Sequence, residues 1–257
     1  MKKIVLILCL SIIVSIAASA QTGKISYLHI SSYLGSPSDT LQAELNFNGQ
    51  YAQYVYDRNT YQPAKKEIIE NASGQYSIHK SGGKQTDSIG NIVYTDHRNK
   101  KMITREMLQS QYFIVPDTVA SITWKITGDQ KMIAKQSCTK ATGNYRGRDY
   151  EVWFSPEIPV SYGPWKLSGL PGLIIEARSA DGEITFIATH IQIPLPAAET
   201  LQVPVNGKPV KDFASFYQLQ NKKAEEMGKY MKSMSQTQAI GTSIKLTTKI
   251  RRIEKSI

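Results

Sequence analysis

Cysteine is almost absent. The 257-residue chain has two, Cys9 and Cys138, and Cys9 falls in an N-terminal segment expected to be removed. With one thiol left, neither an internal disulfide nor a zinc site built from several thiolates can form. Cys138 is then a free thiol, an intermolecular partner or a small buried hydrophobe, the last being the commonest fate of such a residue. Histidine is scarce as well: His29, His79, His97 and His190 stand singly. The one adjacent carboxylate–imidazole pair, Asp96-His97, lies beside Arg98, Lys100 and Lys101, which disfavours a bound cation, so no metal is expected. There is no G-x-S-x-G elbow, H-E-x-x-H pair, phosphate loop or dinucleotide fingerprint. No catalytic residue and no cofactor is therefore assigned. Two enzymatic readings stay open. One pairs Cys138 with His190 as nucleophile and base. The other uses Asp149, Glu151 and Glu157, carboxylates near aromatics as in a sugar site.

Long hydrophobic runs are missing too, except at the start. Lys2 and Lys3 precede an apolar stretch from Ile4 to Ala17, and Ala18-Ser19-Ala20 offers the small residues a signal peptidase needs. The stretch is shorter than the roughly 20 residues that span a bilayer. Cys9 sits in its middle, behind Leu8, where a lipid anchor is not expected. The sequence predicts a signal peptide over 1–20, cleavage near Ala20/Gln21, and a single β-rich domain over 21–257 in the periplasm or outer envelope. Acidic residues are outnumbered, 21 against 31 basic, for a formal charge of +10. Loss of Lys2 and Lys3, with no acid, leaves +8. Outside the cytoplasm that surplus favours an anionic membrane surface or an acidic protein as partner, not nucleic acid, or serves only solubility.

What is present reads as strands between strong turn signals. Lys24–Ile30 is a first strand. Leu41–Phe47 and Gln50–Tyr56 flank Asn48-Gly49, a type I′ turn dipeptide that would set Asn46 opposite Tyr51 and Ala43 opposite Tyr54. Lys65 to Thr86 is polar and turn-rich and reads as short edge structure or a loop. Strands follow at Ile92–Tyr94, Lys101–Glu106 and Gln111–Val115. Thr123–Thr127 and Lys131–Ile133 flank Gly128-Asp129, a second hairpin signal. After Tyr150–Phe154 comes the clearest hairpin, Leu173–Ser179 with Ile184–Ile193 across Asp181-Gly182. Its register sets Ile175 opposite Ala188, Ala177 opposite Phe186 and Ser179 opposite Ile184. A helix is expected from Asp212, its cap, to Met234. Phe213, Tyr217, Ala224, Met227, Met231 and Met234 form its apolar stripe, expected to pack on the sheet. Ser243–Arg251 reads as a last strand.

One segment stands apart, Trp153 to Ile175. Pro156, Pro159, Pro164 and Pro171 fix φ there, while Gly163, Gly169 and Gly172 admit conformations closed to other residues. Leu170-Pro171-Gly172-Leu173 suits a type II turn. The result is a stiff arch, with two readings: a preorganised apolar binding rim, or a plug for the sheet's own core. On the first reading the candidate binding residues are Trp124, Trp153, Tyr162, Trp165, Leu170, Pro171, Gly172 and Leu173, with Cys138 as a candidate thiol.

Gly169-Leu170-Pro171-Gly172-Leu173-Ile174 resembles the motif that names the GLPGLI family of exported envelope proteins of Bacteroidota. Trp124-Lys125-Ile126, Cys138-Thr139-Lys140-Ala141, Tyr145-Arg146-Gly147-Arg148, Trp153 to Pro159 and Gly163-Pro164-Trp165 are similar to that family in order and separation. The similarity covers roughly Tyr94 to His190. It implies a signal-bearing envelope protein of unestablished activity, of a kind sometimes encoded near TonB-dependent outer-membrane receptors, which makes such a receptor a candidate partner. The strand pattern is also similar to the lipoprotein-carrier (LolA-like) half-barrel. The expected fold is mainly β: a curved antiparallel sheet or half-barrel covered by the C-terminal helix, with the arch at one mouth of an apolar hollow. The expected function is non-catalytic binding of an apolar or amphipathic ligand: a lipid, a peptide or part of an outer-membrane partner. The alternatives are an envelope enzyme, hydrolytic or thiol-dependent, and a structural component of an outer-membrane complex.

Overall fold

The computed structural model describes residues 22–33, 38–63, 65–70, 76–81, 84–195, 200–237 and 252–257. The segment read as a signal peptide, its expected cleavage point and the strand expected at Ser243–Arg251 lie outside the described residues. The first described strand lies in the middle of a twelve-stranded sheet. Strands β1 (Gly23–Ser31), β2 (Asp39–Phe47) and β3 (Tyr51–Tyr56) are followed, after an excursion, by β8 (Asn91–Asp96), β9 (Lys101–Leu108) and β10 (Gln111–Thr118). These meander outward from β1, each antiparallel to the last. The chain then crosses to the opposite edge. Strands β11 (Lys125–Ile133), β12 (Gln136–Tyr145), β13 (Arg148–Ser155), β14 (Leu173–Ser179) and β15 (Ile184–Gln192) meander back until β15 pairs with β1. A short β16 (Lys208–Pro209) lies parallel to β10 at the far edge. The sheet is open and curved, as the alternating sequence pattern leads one to expect. The stretch read as edge structure or loop forms two separate ribbons: β4 (Tyr61–Gln62) with β7 (Lys84–Gln85), and β5 (Lys65–Glu70) with β6 (Tyr76–Ser81).

Two turns correct the sequence reading and a third keeps it in part. At the first hairpin Ala43 pairs with Tyr56 and Leu45 with Tyr54, a register displaced by two residues. Asn48 does not enter the left-handed region there. Its Oδ1 accepts from the Gln50 and Tyr51 amides at 3.1 and 2.9 Å, which moves the turn centre to Gly49-Gln50. The displacement is even, so every side chain keeps its face. Gly128-Asp129 is not a turn at all. Lys125–Ile133 is one strand with a bulge at Gly128 (φ +83), and the chain reverses at Ala134-Lys135, with φ +48 and +66. The third hairpin keeps the expected register, with Ala177 opposite Phe186, but its ladder covers only Glu176–Arg178, so the expected pairs Ile175 with Ala188 and Ser179 with Ile184 lie outside it. Its turn is closed by the Gly182 amide on the Ser179 carbonyl, with only Gly182 left-handed.

Helix α1 (Phe213–Thr237) is capped as expected: Asp212 Oδ1 accepts from the Ser215 amide at 2.8 Å. It does not cover the sheet, however. Among its described side chains those of the first turns dock, with Phe213 and Phe216 buried against Val115 and Phe113 near the sheet edge, while the side chains of Met231 and Met234 lie outside the described residues. Further along its stripe Met227 is 44% exposed, and Tyr230 beside it 58%. No helix among the described residues is long and apolar enough to cross a membrane.

The hollow is filled by the arch instead. Ile25 and Tyr27 from β1, Leu45 and Phe47 from β2, Tyr54 from β3, Val152 and Phe154 from β13 and Phe186 from β15 form one buried cluster. Tyr162, Trp165, Leu167 and Leu170 of the arch belong to it. Burying each such side chain stabilises the fold by about 1.5–3 kcal/mol, which gives the arch ample reason to fold inward.

Candidate functional site

The structure divides the candidate residues between two faces of the sheet. Tyr162, Trp165, Leu170, Gly172 and Leu173 are buried. The Tyr162 ring lies 4.9 Å from Phe47, and Trp165 packs 6.4 Å from Phe186 and edge-on to Tyr145 at 5.5 Å. Trp124 clamps the arch from outside, its indole N–H donating to the Ser168 carbonyl at 2.9 Å. Trp153 points the other way, half-buried, with Lys131 Nζ 4.2 Å over its ring. Of the set only Pro171 is exposed. The plug reading thus describes where these rings go, and the space left beside them, about 10 Å³, is too small for an organic ligand.

Gly172 is needed for close approach rather than for a turn of type II. Its φ is not positive, but a Cβ there would press on the Ser155 carbonyl, 2.6 Å from its carbon and 2.9 Å from Pro156 N. Left-handed conformations occur instead at Gly169 (φ +98) and at Trp165 (φ +56), where a bulky residue adopts them at a cost. The turn around Trp165 is closed by the Leu167 amide on the Pro164 carbonyl at 3.1 Å. It directs Trp165 into the core and Lys166 towards buried acids.

Cys138 is fully buried. Its thiol donates to the Gln136 carbonyl at 3.5 Å, and burial pushes its pKa up to about 11. A thiol so placed stays protonated at neutral pH and is a poor nucleophile. Asp96 is occupied in a turn, accepting from Asn99 N at 3.0 Å, while His97 stacks edge-on against Tyr162. Asp149 and Glu151 line a cleft of about 530 Å³ with Tyr150 and Arg178, whereas Glu157 lines a different one. The three carboxylates therefore do not converge. No cluster of three metal-ligating side chains occurs among the described residues.

Sequence reasoning missed a groove of about 710 Å³. It is lined by Ala134, Lys135 and Gln136 of the β11–β12 turn, Glu157 and Ile158 of the arch, and Thr189, His190, Ile191 and Ile193 at the end of β15. It exists because the sheet splits. β14 pairs with β15 only over Glu176–Arg178. Beyond that the arch holds β14: Leu173 N donates to Ile158 O and Ile174 N to Tyr162 O, each at 3.0 Å. Among the described residues, β15 beyond Ile187 pairs with β1 alone. An open strand edge therefore borders a cleft with apolar walls (Ile158, Ile191, Ile193) and charged ones (Lys135, Glu157).

Residues 146–176 match a family model described as "Protein of unknown function (Porph_ging)". Over this stretch, which holds the arch, the chain is similar to a Bacteroidota-type family without assigned activity. No curated protein matches. Among solved structures the fold is similar to PNGF-II. One crystal form superposes with a TM-score of 0.51 at 14% identity, covering 78% of this chain and 33% of that one. A second gives 0.49 at 18%, covering 77% and 32%. The chain spans about a third of the length of those structures, and at such identity the likeness is one of fold.

Proposed function

We propose that this chain is an exported envelope protein of the GLPGLI type. On this reading it acts without catalysis, as an accessory protein that binds an extended, amphipathic segment of a partner along the open edge of β15. The single supporting observation is the split sheet: a strand edge released by the arch, next to a 710 Å³ groove with mixed apolar and charged walls. Unpaired strand edges accept an added strand through main-chain hydrogen bonds, and adjacent pockets select alternate side chains. The near absence of space under the arch favours this surface over a lipid carried inside the hollow. The formal surplus of positive charge suits a partner at an anionic outer-membrane surface, such as a TonB-dependent receptor.

The test is a photo-crosslinking amino acid placed at exposed Thr189 in the groove, and at exposed Arg178 in the 530 Å³ cleft as control, in the exported protein in intact cells. Cross-links to one defined peptide segment from Thr189 and not from Arg178 are expected. Equal labelling at both sites, or none at Thr189, refutes the proposal.

A further inference from the structure

The segment Arg252–Ile257 is seated like a bound peptide, although it pairs with no strand of the sheet. The amides of Lys255 and Ser256 both donate to the Arg146 carbonyl, at 2.9 and 3.0 Å. The guanidinium of Arg148, almost wholly buried, donates to the carbonyls of Ile253 and Arg252 at 2.9 and 3.2 Å. Tyr217 Oη donates to the Lys255 carbonyl at 2.9 Å. Ile253 packs against the main core. Gly147 (φ +76) lies under the side chains of the segment: a Cβ there would meet Ser256 Oγ at 2.9 Å and Lys255 Cβ at 3.2 Å.

One side chain is read in depth. The carboxylate of Glu254, 6% exposed, meets Lys166 Nζ at 2.5 Å and Arg146 at 3.4 Å. Both cations have other partners. Arg146 holds Asp117 at 2.6 Å, and Lys166 faces Glu106 at 3.4 Å and Asp117 at 3.7 Å. Two fixed acids thus already balance the two bases. If the segment left, Arg146 and Lys166 would keep these acids and the buried Arg148 would keep Asp181 and Glu183, so no buried charge would be orphaned. Arg146, Gly147, Arg148 and Lys166 fall inside the stretch matched by the family model, and the segment they hold falls outside it.

The geometry points to a peptide-recognition site, formed by Arg146, Gly147, Arg148, Lys166 and Tyr217, whose ligand is a short segment with a hydrophobic residue followed by an acid. In this chain the site is filled by Ile253-Glu254-Lys255-Ser256. It shares no residue with the β15 groove and stands or falls independently of it.

A protease site introduced between residues 240 and 246 of the full chain permits the test. After cleavage, a fluorescent peptide of sequence Arg-Ile-Glu-Lys-Ser-Ile is added and exchange is followed by anisotropy. The labelled peptide should replace the cleaved segment under native conditions, and the Glu254→Gln peptide should bind about 10–100-fold more weakly, as expected for loss of charge-assisted hydrogen bonds. The full chain carrying Glu254→Gln, cleaved in the same way, should release its segment faster. Failure to exchange, unfolding on cleavage, or equal affinity of the two peptides each overturns the inference.

Discussion

Replacing Gly172 by alanine drives a methyl group into the backbone of the neighbouring strand end. The new Cβ would stand 2.6 Å from the Ser155 carbonyl carbon and 2.9 Å from Pro156 N, where ordinary contacts are 3.4–4 Å. Gly172 and the Ser155–Pro156 peptide must part by roughly 1 Å, and the two residues that follow Gly172 each donate a hydrogen bond to the arch that this shift breaks, Leu173 N to Ile158 O and Ile174 N to Tyr162 O. Losing both costs about 2 kcal/mol, and overpacking adds about 1–3, for about 3–5 kcal/mol in all. For a chain of this size that lowers Tm by about 6–20 °C. Gly169→Ala is the comparator. Its φ of +98 penalises a side chain, but the nearest atom, Trp124 Nε1, is 3.7 Å away. Only the strain remains, about 1–2 kcal/mol. Scanning calorimetry of the two variants decides the matter. If Gly172→Ala melts like the parent, or is milder than Gly169→Ala, the close-approach argument is wrong.

Two further outcomes are expected. His29 is buried among Tyr54, Tyr56 and Phe186, and burial, aided by Lys84, pushes its pKa down to about 3. The unfolded state then binds a proton that the folded state refuses, so this residue's contribution is intact above pH 6.5 and is lost as pH falls towards 3. About 2 kcal/mol should disappear between pH 6 and pH 4.5. Urea midpoints of His29→Phe should fall less steeply over that range, and parallel slopes for the two proteins would contradict the assignment. Cys138, buried and with its thiol raised to about 11, should resist aromatic disulfide reagents at pH 8 until denaturant is added. Reaction of the native protein at the rate of a free thiol would reopen thiol chemistry.

The local grammar of the chain was legible. Alternation of apolar residues located β1, β8, β9, β10, β13, β14 and β15, because the pleat repeats every two residues whatever lies around it. Asp212 announced its helix, since a cap is a contact over three residues. The third hairpin kept its register because its apolar positions allow no slip of one residue. The glycines and prolines of the arch marked it as stiff, but only the tertiary structure set its direction. Periodicity assigns Trp153 and Phe154 to opposite faces without saying which face is concave, and the arch folded into the hollow because that buries Tyr162, Trp165 and Leu170. Gly172 looked like a turn residue and is a contact residue, a distinction that depends on Ser155, distant in sequence and adjacent in space. Ala134-Lys135 carries no turn signature, yet the chain reverses there and makes one wall of the groove. The Arg146–Lys166 site joins residues about a hundred positions apart, and no local pattern encodes such a pairing. Sequence by itself located most of the strands, the capped helix and the stiff arch, because alternation, a cap and fixed φ are local, but it misplaced the turn between β11 and β12. The faces of these elements, the split in the sheet and the seat of Glu254 were decided by long-range burial and charge pairing, which act only once the chain has closed on itself.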